Sequence, residues 1–464
     1  MFGVRARRDV TRRQDRATAV RPTVEGLEGR LLLSSTTGAR WAGPQRITYS
    51  FVPDGTSIGG VPSTLQATLD ARFPGARWKD EFAQAAAAWQ KAANVNFASV
   101  PDDGSPIGIS GSQQGDPRFG DIRIGGYAQP SGQLAFAYLP PPTNGGTNAG
   151  DIFLNTSQSW RIDGTTFDLE TVAIHEFGHT LGLDHSTVAA AAMWPAYTGT
   201  KQVLTTDDIG GIRGIYDARR QDAFDANGSN NVAGQADDIT SYLDASGRLT
   251  LSGLDSTTPQ TIASGDNDWF KVVAPATTTG TMVVKMQSSG LSLLSPMVTV
   301  FNTAGTTLLG QQSSLAYGDT VGVTLAGVTP GQTYLIRARG ATGGNSGYGA
   351  YALQVNFGSS PLEAVVAPGT MVAQTTDLGG GPLAGATRGE DIKAGKLTGR
   401  GDVLMVDGDA RPDHAHDVEL TSSPGPMQAR RPLARRPHAP FGGRRLRTAG
   451  RTMGAPAGAS DRPM

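Results

Sequence analysis

At 464 residues the chain exceeds one ordinary domain, and 40 Lys and Arg set against 41 Asp and Glu leave no global field to draw in nucleic acid or a strongly charged partner. The absence of cysteine excludes disulfides, thiolate metal ligands and a cysteine nucleophile together. No apolar run approaches the roughly 18 residues a transmembrane helix needs, while 62 Gly and 28 Pro with only 17% charged residues argue against a helical bundle.

Residues 1–40 read as a basic leader, with seven arginines before residue 22 and no continuous apolar segment of signal-peptide length. Within it, Leu27 to Ser35 (LEGRLLLSS) resembles the LEPR-XLL type of export motif, with Gly29 where that motif has Pro. The texture changes at Trp41. Arg46 to Pro53 (RITYSFVP) alternates apolar and polar residues as a half-buried strand does. Trp78 to Val100 repeats Phe82, Ala85, Ala86 and Trp89 at helical spacing in an Ala-rich run, which predicts one long amphipathic core helix. Asp121 to Ala128 and Gly132 to Pro140 read as further strands, followed by a Pro/Gly/Asn loop to Gly150. Thr165 to Leu183 (TTFDLETVAIHEFGHTLGL) opens on a polar start signal and ends near Gly182, as a capped helix should.

Past Tyr216 the chain turns polar, and residues 218–240 read as a linker around DAFDANGSNNVAGQADD. Residues 241–357 carry short alternating runs (RLTLSGL, DWFKVVAP, TMVVKMQ, MVTVFN, TYLIRARG, YALQVNF) separated by Gly, Ser and Thr, the pattern of an all-β sandwich. Residues 358–464 show little periodicity and much Gly, Pro and Arg, which predicts a disordered tail.

Of six histidines, three stand within Ala173 to Ser186 (AIHEFGHTLGLDHS); the others, His414, His416 and His438, lie in the predicted tail. On a helix His175 and His179 share one face, so both imidazoles can point at one ion. Glu176 is offset around the helix, placed to hold a water beside that ion as a general base. Gly182 can stop the helix in a left-handed conformation and let the chain return His185 as a third ligand. Three neutral imidazoles suit zinc and leave a fourth position open, as a catalytic rather than a structural site requires. A chance register of surface or core histidines would not specify all five positions together.

The segment HEFGHTLGLDHS resembles the metzincin metalloproteases, and Ser186 after the third ligand narrows the resemblance to the matrixins. Ala191 to Tyr197 (AAMWPAY) is similar to that family's Met-turn, implying that Met193 underlies the zinc while Pro195 and Tyr197 line the substrate pocket. Leu204 to Tyr216, with Asp207 and Asp208, resembles the family's last helix, and ITYSF, FAQAAAAW and DIRI match earlier landmarks. The implied fold class is α+β: a matrixin domain over 41–217 with a twisted mixed sheet and long helices, followed by the sandwich and tail. A structural zinc that animal members hold is implied to be absent, since Phe136 and Phe153 stand at or beside the expected imidazole positions. A calcium is implied between Asp121, Asp151 and the carbonyls of Thr147 to Gly150, with a plain polar loop as the other reading. Asp266 and Asp268 stand between a second cation site and turn-capping acids. With no cysteine, latency through a propeptide thiolate cannot operate.

Residues 241–357 resemble the bacterial pre-peptidase C-terminal domain through DNDWFKVVAP, SPMVTVFNTAG, GQTYLIRARG and GYGAYALQV. Together these resemblances imply a secreted or cell-surface zinc metalloendopeptidase, monomeric, acting on protein or peptide substrates. The pocket beside the metal is expected to take a medium or large apolar side chain such as Leu. The competing reading is an adhesion or matrix-binding protein in which the sandwich carries the function; an intact Glu176 speaks against it, because binding alone needs no base. The tail arginines lack interleaved aromatics and so do not imply a nucleic-acid partner.

Overall fold

The helix that carries the histidine pair, α3 (Leu169–Thr180), is buried along all of its residues, so its sequence is apolar on every face except where chemistry intervenes. Its start is set by Asp168, whose carboxylate accepts from the Thr171 amide at 2.9 Å, satisfying an otherwise orphaned helix donor. Its end is set by Gly182 at φ +97, where a Cβ would stand 2.1 Å from the Ala39 carbonyl oxygen. Only glycine fits that approach. The computed structural model describes residues 35–220, 222–225, 230–256, 266–366 and 401–406. Most of the basic leader, with nearly all of its export-like motif, and most of the tail fall outside the described residues.

A seven-stranded mixed sheet lies against the helices in the order Phe97–Ser99, Ile47–Phe51, Ile122–Tyr127, Ile152–Asn155, Gln133–Tyr138, Gly401–Val406, Ala196–Tyr197. The strands from Phe97–Ser99 through Ile152–Asn155 run parallel, and Gln133–Tyr138 turns antiparallel to Ile152–Asn155. Helices α1 (Leu65–Arg72) and α2 (Trp78–Ala92) precede α3, and α4 (Thr206–Tyr216) follows it. The helix predicted to run to Val100 stops at Ala92. Ala93 is extended, and Val95 and Phe97, the latter opening a strand, are buried, so the burial of NVNF outweighs the Ala-rich run before it. Helix α2 packs on α3 and is pinned to it by the Trp89 indole, which donates to the Ile174 carbonyl at 2.9 Å.

Strands between Arg248 and Asn356, joined by the short strand Asp237–Asp238, form a four-stranded and a five-stranded sheet. Both contribute to one apolar core of Phe270, Met282, Val284, Val298, Ile336 and Leu353 among others. Gln90 of α2 links this unit to the sheet beside it: its carbonyl accepts from the Phe97 and Leu293 amides, while its amide donates to the Tyr348 carbonyl.

Three boundaries expected from texture shift. Ser35 to Arg40, assigned to the leader, joins the histidine domain: Thr37 donates to the Gly182 carbonyl at 3.0 Å and the Ser35 carbonyl accepts from Asp184 at 2.8 Å. The polar linker is docked as well, since Arg219 donates to the carbonyls of Gln90 and Val95 and Asp237–Asp238 pairs with the strand Asp268–Val273. From the expected tail, Val366 is buried, and Gly401–Val406 enters the seven-stranded sheet. Composition averages over a long segment. It misses a short stretch whose backbone finds partners on strands already formed.

Where α2 meets α3, burial and then the neighbouring Glu170 push the Glu81 carboxyl up to about 7. Burial, with help from Asp168, carries Glu170 to about 7 against the Gln84 amide that donates to it. A carboxyl raised in the folded state adds stability that is full below its ordinary value of 4.5 and is lost as pH rises through about 7. Glu170→Gln should therefore melt at the parent's temperature near pH 5 and above it at pH 8. A melting difference independent of pH in that window would contradict the assignment.

Candidate metal centre

The two imidazoles on α3 are fixed from behind. His175 Nδ1 lies 2.8 Å from the Ala192 carbonyl oxygen and His179 Nδ1 lies 2.9 Å from that of Leu183. A carbonyl only accepts, so each Nδ1 carries the proton and each Nε2 presents a lone pair. The two Nε2 atoms stand 3.0 Å apart. His185, returned by the turn at Gly182, completes the set, with ring centroids 5.3 Å from His175 and 4.8 Å from His179. Donor atoms of all three lie within 4.8 Å of one another. That convergence fits one zinc ion.

Electrostatics keep the donors available. Burial pulls the His175 imidazole well below its ordinary range, helped by His179 and His185, and takes His179 down to about 4. Against an ordinary value of 6.5, this resists protonation of His179 by about 3 kcal/mol. Glu176, one residue after the first ligand, is fully buried.

The turn beneath the imidazoles is held by Asp208. Its two carboxylate oxygens accept from the Ala192 amide at 3.0 Å and the Met193 amide at 3.1 Å, and one also takes the Thr205 amide at 2.8 Å. Thr205 and Asp208 form a reciprocal capping box at the start of α4. From sequence Asp208 reads as a helix-start charge; its support of Met193 was not legible, because the contact closes a long loop. Ser186 donates to Asp207 at 2.6 Å, tying the residue after the third ligand to the same helix. Met193 is buried directly against α3, where a Cβ on Gly178 would lie 2.2 Å from its sulfur. The helix can approach the turn only because Gly178 has no side chain.

Beside His175 lies a narrow cavity of about 10 Å³, lined by Thr171, Ala192, Trp194, Ala196, Tyr197 and Lys201 among others. Tyr197 is there as expected, and its hydroxyl also accepts from the Asp168 amide at 3.1 Å, bracing the start of α3. Pro195 is half-buried next to it and is not part of the lining. Lys201 was not singled out by sequence. Its Nζ is shielded from solvent with no hydrogen-bond partner, and burial lowers its pKa while the Asp208 carboxylate raises it.

The carboxylates considered for calcium sit apart from this site. Asp121 accepts from the Thr48 and Gly115 amides, and Asp151 accepts from the Arg123 amide through one oxygen while the other is without a partner. Phe136, Tyr138 and Phe153 pack ring against ring nearby, with centroids of Phe136 and Phe153 5.2 Å apart. Asp266 and Asp268 are brought together with Asp225, all buried and with oxygens within 4.8 Å, a grouping able to hold a cation. Burial, then Asp266 and Asp222, push the Asp268 carboxyl well above its ordinary range.

A family model described as Matrixin matches residues 64–217. Karilysin of Tannerella forsythia is 42% identical over 106 residues, 23% of this chain and 21% of that protein. The hatching enzyme of Paracentrotus lividus is 35% identical over 188 residues, 39% of this chain and 27% of that protein. The interstitial collagenase of Equus caballus is 38% identical over 129 residues, covering 28% and 26%. The chain thus spans about a quarter of the length of these relatives.

Proposed function

Because residues 64–217 are a matrixin domain, we propose that this chain is a zinc-dependent endopeptidase hydrolysing peptide bonds of extracellular proteins. The observation that carries this reading is the convergence of three imidazoles, two buried and the third half-buried, with Glu176 beside the first of them. His175, His179 and His185 would hold the ion, which when bound polarises a peptide carbonyl and acidifies water. The rest is the work of the chain. Glu176 takes a proton from the attacking water and delivers it to the departing amide nitrogen, so one water is consumed as the C–N bond breaks. Nδ1 hydrogen bonds to Ala192 and Leu183 hold both helix imidazoles in the ligating tautomer. Asp208 fixes the turn on which that geometry rests.

Export to a cell surface or beyond agrees with the family reading, and no helix among the described residues is long and apolar enough to cross a membrane. We read the chain as a monomer without a nucleic-acid partner, and residues 241–357 as a pre-peptidase C-terminal type of accessory domain. A calcium at Asp121 and Asp151, or a cation among Asp225, Asp266 and Asp268, would serve the fold rather than the reaction, since none of these acids lines the cavity beside His175.

Substrate choice follows from that cavity. Its Ala192, Trp194 and Ala196 walls suit an aliphatic stem, and the unpartnered Lys201 ammonium suits an acceptor at the stem's end. Beside the expected Leu, we propose that Glu or Gln just after the scissile bond is favoured through Lys201.

Glu176→Gln should keep its zinc and lose about 10²- to 10⁴-fold in kcat/KM, because an amide fills the same space but cannot take the proton. Near-parental turnover in that variant would sink the mechanism. Lys201→Met should shift the preference in a peptide library from Glu and Gln toward Leu by about tenfold or more, since a hydrogen bond to a charged group is worth about 1.5–3 kcal/mol. An unchanged cleavage profile would remove Lys201 from the pocket's chemistry.

A further inference from the structure

The strand Gly401–Val406 lies between two strands that flank the metal site. On one side it runs antiparallel to Gln133–Tyr138, with Val403 opposite Phe136, Leu404 opposite Ala135 and Met405 opposite Gln133. On the other it runs parallel to Ala196–Tyr197, with Met405 opposite Ala196 and Val406 opposite Tyr197. Ala196 and Tyr197 line the cavity that contains His175, and α3, which carries His175 and His179, packs against both Gln133–Tyr138 and Gly401–Val406. The strand therefore runs between the wall of that cavity and the sheet strand on which α3 packs.

Take the strand away, and Gln133–Tyr138 becomes the edge of the parent sheet, presenting unpaired amides and carbonyls. An edge of that kind captures extended peptides through main-chain hydrogen bonds, with little regard to sequence. A peptide substrate presented to α3 needs those same groups. We propose that residues 401–406 are the chain's own occupant of its substrate cleft, holding the full-length protein at low activity until they are displaced. The proposal rests on the peptidase reading for what the cleft binds. It also supplies latency to a chain that has no cysteine with which to block a metal. Being tethered, the strand competes at an effective concentration that reaches about the millimolar range, so a dilute free substrate is excluded without tight intrinsic binding.

The test uses the full-length chain with its intact mass verified. Neighbouring residues of a strand point their amides to opposite sides, so Val403→Pro combined with Leu404→Pro removes whichever of the two donates to Gln133–Tyr138. In a Glu176→Gln background, which prevents self-cleavage, hydrogen exchange at residues 133–138 should speed up about tenfold or more in the proline pair. A synthetic peptide of residues 399–408, added in trans at millimolar concentration, should restore the protection. With Glu176 present, the proline pair should raise hydrolysis of a short fluorogenic peptide about tenfold. Unchanged exchange at 133–138, failure of the added peptide to slow it, or unchanged hydrolysis in an active enzyme would each overturn the proposal. If exchange responds as expected but no variant hydrolyses any peptide, occupancy of the cleft stands and the peptidase reading fails instead.

Discussion

Two neutral imidazoles one helical turn apart, each tied through Nδ1 to a backbone carbonyl, are the constraint around which the rest is arranged. For both Nε2 lone pairs to meet at one point the rings must be held in one tautomer, which the carbonyl bonds do, and kept from protonation, which burial does. Burial in turn requires that α3 be enclosed on all sides. The sheet covers one face and α2 another, with Trp89 bonded to the helix backbone at Ile174. Gly178 then allows Met193 to come within contact of the helix, and Gly182 allows the chain to reverse closely enough to return His185. A side chain at Gly178 would meet the Met193 sulfur, and one at Gly182 the Ala39 carbonyl oxygen.

The carbonyls that orient the imidazoles belong to a turn and a loop, which are the least self-supporting parts of a fold. Here their positions are fixed by Asp208 at the start of α4, reached through the Ala192 and Met193 amides, and by Ser35 and Thr37, which bond to the chain just behind His185. Tyr197 joins the cavity wall to the N-terminus of α3 through the Asp168 amide. The site is thus braced from segments before, within and after its own sequence motif, and helix-start chemistry at Asp168 and Asp208 is reused to position ligand-bearing backbone.

What could be read from the amino-acid sequence was what local chemistry dictates. The spacing of His175, Glu176 and His179 gives a helix face, Asp168 and Gly182 give its ends, and the alternation in Arg46 to Pro53 and Asp121 to Ala128 gives strands; these lie where local rules place them. Features made by distant contacts were not legible. Asp208 under the Met193 turn, Lys201 inside the cavity and Asp225 beside Asp266 and Asp268 join residues far apart in the chain, and nothing in their own neighbourhoods marks them. The helix end at Ala92 was misread because Ala-rich propensity is a weak prior beside the burial of Val95 and Phe97. Gly401–Val406 was hidden for the opposite reason: a strand stabilised by its neighbours' backbones needs no periodicity of its own.

Catalysis at this site depends on which side chains hold the zinc. Zinc-edge X-ray absorption on the zinc-loaded full-length chain should show three imidazole nitrogens at about 2.0–2.1 Å and one further light atom from outside the protein. His185→Ala should reduce the imidazole count to two. Fewer than three imidazoles in the parent, or a count unchanged in that variant, would contradict the assignment of His175, His179 and His185 as one catalytic ligand set.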